Sequence, residues 1–157
     1  MKKNIVALVM ICSSIATLAM SAPARAGMGN SSVGPSLLIT NGTTSIGVDS
    51  KFGISDNISI RPAVYFPSGG TVFGASLTYD FDVSRSSKLQ ITPYLGGGLL
   101  VGVANNNRGG SSETQTFFTG GADFGISDSV DLKAALLVPL SSNNSTTGVT
   151  IGAGFKF

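Results

Sequence analysis

The sequence predicts an all-β fold: an eight-stranded antiparallel up-and-down transmembrane β-barrel, preceded by a cleavable signal peptide. Three observations lead to this prediction. The first residues have the layout of an export signal, and the remainder divides into eight segments in which apolar residues alternate with small or polar ones. In addition, no charge within these segments lies on an apolar face.

Residues 1–26 form the predicted signal peptide. Lys2 and Lys3 give a positive start, an apolar run follows from Ile5 to Met20, and Ala24-Arg25-Ala26 has the small-residue pattern of a cleavage site. The run is shorter than the roughly 20 apolar residues that a membrane-spanning helix needs. We therefore expect cleavage before Gly27 and a barrel domain over residues 27–157.

Removal of the signal changes the composition of the chain. Lys2, Lys3 and Arg25 leave with it, which turns the formal charge from +2 to −1. The only cysteine, Cys12, also lies within it. The exported domain must fold without disulfides, and because the chain has no His, imidazole-based catalysis and the common zinc sites are excluded.

The domain shows no helical period. Its alternating segments are bounded by Asn, Asp, Ser and Gly clusters, as expected of strands joined by turns. Each segment has nine residues or more, and a tilted strand needs about 9 to 11 residues to cross a bilayer. The eight segments are residues 32–40, 44–54, 58–67, 71–82, 89–103, 114–126, 129–139 and 147–157.

The distribution of charge indicates which face of the strands is inside. The face opposite the apolar residues consists mainly of Gly, Ser, Thr and Ala, which suits the narrow interior of a closed barrel better than a solvated surface. A soluble β-sandwich or lipocalin-like barrel stays open as an alternative, since alternation alone does not say which face is inside. The predicted lumenal charge network consists of Asp49, Lys51, Arg61, Asp80, Asp82, Asp123, Asp131, Lys133 and Lys156.

One hairpin is repeated. The stretch from Phe52 to Pro67 recurs 72 residues later, from Phe124 to Pro139, with the turn Phe-Gly-Ile-Ser-Asp at the start of both copies. The copies correspond to strands two–three and six–seven, so their turns should lie at the same end of the barrel.

Matching the strands across their turns predicts ionic partners inside the barrel. Ile126 opposite Val130 brings Asp123 across from Lys133, and Pro139 opposite Gly148 brings Asp131 across from Lys156. A register with Arg61 beside Asp80 is also consistent. Because an unpaired buried charge is costly, five acids and four bases in the lumen predict a filled interior without a continuous water path.

The chain resembles the opacity-type, porin-like outer-membrane β-barrel family of diderm bacteria. The resemblance covers the whole exported domain and rests on the signal peptide, the Phe-Gly-Ile-Ser-Asp turns, Gly-rich strands such as residues 93–98, and the terminal strand ending at Phe157. It implies that Phe155 and Phe157 belong to the signal read by the barrel-assembly machinery. Long loops and Trp are missing, and Phe and Tyr are expected to form the interfacial girdle.

Few residues suggest chemistry. Asp80 and Asp82 share a face in the manner of an acid–base pair, but an ion-pair network with Arg61 explains them as well, and the glycines at 96–98 and 120–121 lie within strands rather than in a phosphate-binding loop. We expect no catalytic residue, cofactor or metal. The connection at residues 104–113 could contact a surface partner.

The sequence thus predicts a monomeric structural or surface-interaction protein of the outer membrane, with lipid as its surroundings and no nucleic-acid partner. A small-solute channel is the alternative, followed by a membrane-embedded lipid-modifying enzyme or a soluble secreted barrel.

Overall fold

A computed structural model describes residues 31–81, 83, 90–104, 112–140 and 146–157. The predicted signal peptide and Asp82 lie outside these residues, as does most of the connection at 104–113. The described chain forms eight strands: β1 (Ser32–Thr40), β2 (Thr43–Ser55), β3 (Ile58–Phe66), β4 (Gly70–Asp80), β5 (Gln90–Ala104), β6 (Ser112–Gly125), β7 (Val130–Pro139) and β8 (Gly148–Lys156).

The strands close into one antiparallel barrel. Each strand pairs with its neighbours in chain order, and β1 pairs with β8. The predicted eight-stranded antiparallel barrel is therefore confirmed, and each predicted segment agrees with its strand to within two residues at either end. Closure leaves no unpaired edge, so the backbone polar groups of the strands are satisfied within the sheet.

The two ends of the barrel differ. We call the end that carries residues 56–57, residues 126–129 and both ends of the described chain the turn end, and the opposite end the loop end. At the loop end, Asn41 and Gly42 have positive φ angles of 46° and 74°. Two such residues form the tight turn that matches the twist of a two-residue hairpin. The repeated hairpins both turn at the turn end.

The two faces of the sheet have opposite chemistry. Large apolar side chains point outward and are exposed, among them Ile46 at 68%, Leu95 at 57% and Phe118 at 55%. The charged side chains point inward, and Lys51, Asp123 and Lys133 are at most 6% exposed. A soluble sandwich or lipocalin-like barrel has the reverse arrangement, with its large apolar residues enclosed. No helix in the described residues has the length and apolarity to span a membrane.

Two of the predicted strand registers can be compared directly. Asp123 pairs with Lys133 between β6 and β7, as predicted. The prediction for β7 and β8 was wrong by two residues: Asp131 pairs with Gly154, and the Lys156 backbone N–H donates to the Ser129 carbonyl instead. A slip of two residues keeps every side chain on its face, so alternation could not distinguish the two registers.

Candidate functional site: the barrel lumen

Four charged side chains meet inside the barrel toward the turn end. They come from β2, β3, β4 and β6, and we call them the lumenal cluster: Lys51, Arg61, Asp80 and Asp123. The Lys51 ammonium lies 2.7 Å from Asp80 Oδ2 and 3.0 Å from Asp123 Oδ2. Arg61 Nη2 lies 3.2 Å from Asp80 Oδ1 and 2.8 Å from Asp123 Oδ2. Each base therefore contacts both acids.

Arg61 is the most extensively bonded member of the cluster. Its two terminal nitrogens donate to both oxygens of Asp123, at 3.0 and 2.8 Å, in the bidentate geometry that favours Arg over Lys. Its Nε donates to Thr78 Oγ1 at 3.1 Å. The guanidinium also lies 3.5 Å from the centre of the Tyr94 ring, a cation–π contact. These bonds hold the long side chain in one orientation across the lumen.

Hydroxyl groups complete the shell around Asp80. Ser59 donates to Asp80 Oδ2 at 2.7 Å, and Thr78 donates to Oδ1 at 3.2 Å. Ser59 and Thr78 are each 2% exposed. Buried charges are tolerated when they are paired and their remaining hydrogen-bonding positions are filled, and Asp80 meets both conditions.

A separate ion pair lies next to the cluster. The Lys133 ammonium donates to Asp49 Oδ1 at 2.8 Å. Lys133 is opposite Asp123 in the sheet, yet its ammonium bonds across the lumen to β2 rather than to its strand neighbour. Arg61 bonds in both ways. Its strand neighbour is Ser76, so the register that would place it beside Asp80 is not the observed one, and it bonds Asp80 of the adjacent β4 and Asp123 across the lumen on β6. The barrel is narrow enough for long side chains to bond with partners across its interior.

The remaining predicted network residues lie outside these contacts. Lys156 stands at the turn end, where its ammonium donates to the Ser127 carbonyl at 3.2 Å. Asp131 is 2% exposed, and within the described residues its Oδ1 atom has no hydrogen-bond partner. The predicted Asp131–Lys156 pair is absent from the ion pairs of the described residues, in keeping with the register difference between β7 and β8. Asp82 is outside the described residues.

Two pairs of charged lumenal residues are related by the repeat. Lys51 and Asp123 are 72 residues apart, and so are Arg61 and Lys133, which equals the spacing of the repeat. Lys51 and Asp123 thus carry opposite charges at equivalent positions, and Lys51 Nζ lies 3.0 Å from Asp123 Oδ2. Hairpins four strands apart face each other in an eight-stranded barrel, which explains why equivalent positions meet across the lumen.

An apolar layer fills the lumen nearer the loop end, and the sequence reasoning missed it. Leu38, Tyr65 and Phe117 point inward and are at most 5% exposed. Tyr65 lies on the same face of β3 as Arg61, and Phe117 lies on the same face of β6 as Asp123, so alternation already places both rings in the lumen. Between this layer and the cluster lies a cavity of about 60 Å³, bordered by Asp49 and Tyr94.

The carboxylates of the lumenal cluster are fully engaged in ion pairs and hydrogen bonds. Both oxygens of Asp80 and Asp123 are engaged by bases or hydroxyls, which leaves no carboxylate in the cluster free to exchange a proton with a substrate. Within the described residues, no group of three or more His, Cys, Asp or Glu side chains is placed to hold a metal ion.

Comparison with known proteins identifies structural likeness only. No protein-family model matches the chain, and no curated protein matches its sequence. A de novo designed transmembrane β-barrel matches with a TM-score of 0.64 at 16% identity, over 82% of this chain and 96% of the design. The N-terminal β-barrel domain of Pseudomonas aeruginosa OprF matches with a TM-score of 0.58 at 14% identity, over 84% and 100% of the two chains.

A further natural outer-membrane protein is similar to this chain in structure. Yersinia pestis Ail in a phospholipid bilayer nanodisc matches with a TM-score of 0.54 at 11% identity, over 82% of this chain and 99% of Ail. Identities this low show a shared fold and do not assign an activity. The fold is therefore that of known membrane-spanning barrels.

Proposed function

We propose that this protein is an integral outer-membrane β-barrel with a structural or surface-interaction role, whose lumen is closed by its own side chains. The observation that carries the proposal is the inverted distribution of side chains: exposed apolar residues outside, such as Leu77 at 55% and Leu136 at 53%, and buried charges inside. Water would not stabilise such an exterior, whereas the hydrocarbon of a bilayer would.

Aromatic residues mark the edges of the proposed lipid-facing band. At the turn end, the Tyr79 and Phe81 rings meet edge to face at 5.2 Å, and those of Phe52 and Phe157 do so at 6.3 Å. Phe66 lies at the loop end, 41% exposed. Aromatic girdles at both interfaces are typical of outer-membrane barrels, and here Phe and Tyr serve where Trp is absent.

The finer assignment rests on the resemblance to the opacity-type family. It supports a role in surface interaction through the loop end, with a partner contacting residues 104–113, and assembly through a signal at Phe155 and Phe157. Both phenylalanines are 59% exposed on the outer face, where an assembly factor could read them. A monomer is the simplest state for a closed barrel, and export through the signal peptide of residues 1–26 precedes insertion.

The membrane location is tested by placing a charge on the outer face. Leu77→Arg and Leu136→Arg should each reduce the amount of folded protein in the outer membrane, because a charge near the bilayer midplane costs about 2 to 4 kcal/mol. The yield is measured by membrane fractionation and by the mobility difference between unheated and heated protein on a gel.

Thr114→Arg is the matched control. Thr114 is exposed on the same outer face but near the loop end of β6, where the cost falls to about 0 to 1 kcal/mol. Normal yields for all three variants, with protein recovered in a soluble fraction, would overturn the membrane proposal in favour of a soluble barrel.

A further inference from the structure

An open cup occupies the loop end of the lumen, above the buried apolar layer. It encloses about 270 Å³ and shares no residue with the lumenal cluster. Four inward aliphatic side chains form its deeper wall, and polar side chains stand nearer the opening. The aliphatic residues are Leu38, Val72, Leu100 and Leu137; Asn41 and Thr146, joined by a 2.7 Å hydrogen bond, belong to the rim.

The lining of the cup is mixed, because an aliphatic wall is combined with polar side chains such as Thr40, Asn41 and Gln115. A concave site that offers an apolar surface together with polar groups suits a ligand that is itself amphipathic. The aliphatic wall continues the apolar layer of Leu38, Tyr65 and Phe117 toward the opening. An apolar body that covers this wall would remove it from water, which is the main favourable term for such a ligand.

The charge of the cup lining favours a positively charged ligand. Glu113 is the one charged residue among the described residues that line the cup, and no Lys or Arg of the described residues lies within 4.0 Å of its carboxylate. The bases deeper in the lumen are already bonded to Asp49, Asp80 and Asp123. We propose that the cup binds a small amphipathic organic cation, with its aliphatic body on the apolar wall and its ammonium group beside Glu113.

Because Gly102 has no side chain, the space next to the Glu113 side chain stays open. A second recess of about 240 Å³ lies next to the cup, and Val72, Gly102 and Glu113 line both spaces. A Cβ atom added at Gly102 would meet only the Glu113 carbonyl oxygen, at 3.8 Å. Because Gly102 lines both spaces, a larger side chain at this position would extend into the cup and the adjoining recess without straining the backbone.

The test uses three probes that share one ring and differ in charge: cyclohexylammonium, cyclohexanol and cyclohexanecarboxylate. Each is titrated into the full exported chain in lipid nanodiscs, and saturable binding is measured by ligand-detected NMR, with empty nanodiscs as background. We expect the cation to bind most tightly and the carboxylate least. Glu113→Gln should weaken cation binding by about two- to fivefold, as expected for an exposed ion pair, and leave cyclohexanol unchanged.

Two matched controls separate the site from general effects. Asp128→Asn makes the same charge change at the turn end, where Asp128 is exposed, and should leave binding unchanged. Gly102→Leu should abolish saturable binding of the cation and the alcohol, whereas Gly97→Leu on the outer face of the same strand should not. The proposal is overturned if wild-type protein binds no probe, as it would if the chain's own loops fill the cup. It is also overturned if Glu113→Gln leaves the cation preference intact, or if Gly102→Leu binds normally.

Discussion

Arg61 shows how one side chain organises the inside of this barrel. It bonds to acids on two different strands and to the hydroxyl of Thr78, so its position depends on β4 and β6 together. Because its partners are at most 7% exposed, loss of the guanidinium leaves them without compensation in a site that water reaches poorly. The cluster therefore links strands that do not neighbour one another in the sheet.

Arg61→Met should destabilise the folded barrel by about 3 to 5 kcal/mol, the cost of leaving a buried partner charge unpaired. The measurement is urea unfolding in lipid vesicles followed by circular dichroism, since the chain has no Trp for fluorescence. Lys156→Met is the control, because Lys156 bonds a turn carbonyl at the exposed end, and its loss should cost less than about 1 kcal/mol. Equal effects for the two variants would contradict a central role for the cluster.

Two adjacent glycines of β5 provide a second test at the level of single residues. A Cβ at Gly96 points inward and would contact the Leu77 carbonyl and the Thr78 Cα, the latter at 2.8 Å. At Gly97 the nearest atom to an added Cβ is the Phe117 carbonyl oxygen, at 3.4 Å. Gly96→Ala should therefore destabilise the barrel by about 1 to 3 kcal/mol, while Gly97→Ala should be neutral or stabilising by up to about 1 kcal/mol. The opposite order, measured by the same urea unfolding, would show that β4 and β5 are not this close.

At the scale of the strands and hairpins, the repeat and the turns determine orientation. The repeated hairpins turn at the same end as both ends of the described chain, and the Asn41-Gly42 hairpin turns at the other end. An even number of strands brings both ends of the described chain to the same side, and in outer-membrane barrels that side carries the periplasmic turns. We therefore expect the turn end to be periplasmic.

Single cysteines test this orientation, because residues 27–157 contain none. On intact cells, a membrane-impermeant maleimide should label Ser68→Cys at the loop end and should not reach Ser127→Cys at the turn end. Both variants should react once the outer membrane is permeabilised, which shows that each cysteine is accessible in the folded protein. Labelling of Ser127→Cys alone in intact cells would reverse the assignment.

At the scale of the whole molecule, two layers of side chains occupy the lumen. The charged cluster lies toward the turn end, and the apolar layer of Leu38, Tyr65 and Phe117 lies toward the loop end. An eight-stranded barrel is just wide enough for side chains to fill its interior. An ion would need to displace a paired layer and then an apolar layer to cross.

Purified wild-type protein in a planar bilayer should therefore show no stable conductance steps. A sixteen-stranded porin reconstituted in parallel serves as the positive control, since barrels of that size keep an aqueous channel. Reproducible conductance steps from the wild-type protein would favour the small-solute channel. The lumen would then have to be wider than it is in this structure.

The sequence alone determined the number of strands, their approximate limits, the inward face of the charges that the structure describes and one strand register. These features depend on local alternation and on short turns, which neighbouring residues specify. Asp123 opposite Lys133 could be counted across the tight turn at residues 127–129. The register of β7 and β8 could not, because residues 140–147 separate them and a two-residue slip preserves every face.

Only the tertiary structure decided which charges meet and what else fills the lumen. Lys51 and Asp123 are joined at 3.0 Å although they are 72 residues apart in the chain and lie on β2 and β6, with three strands between them, and Lys133 bonds Asp49 rather than its strand neighbour. Such contacts depend on the diameter of the closed barrel and on the reach of each side chain across it. The apolar layer and the cup above it arise in the same way, from inward residues of several strands that come together only when the sheet closes.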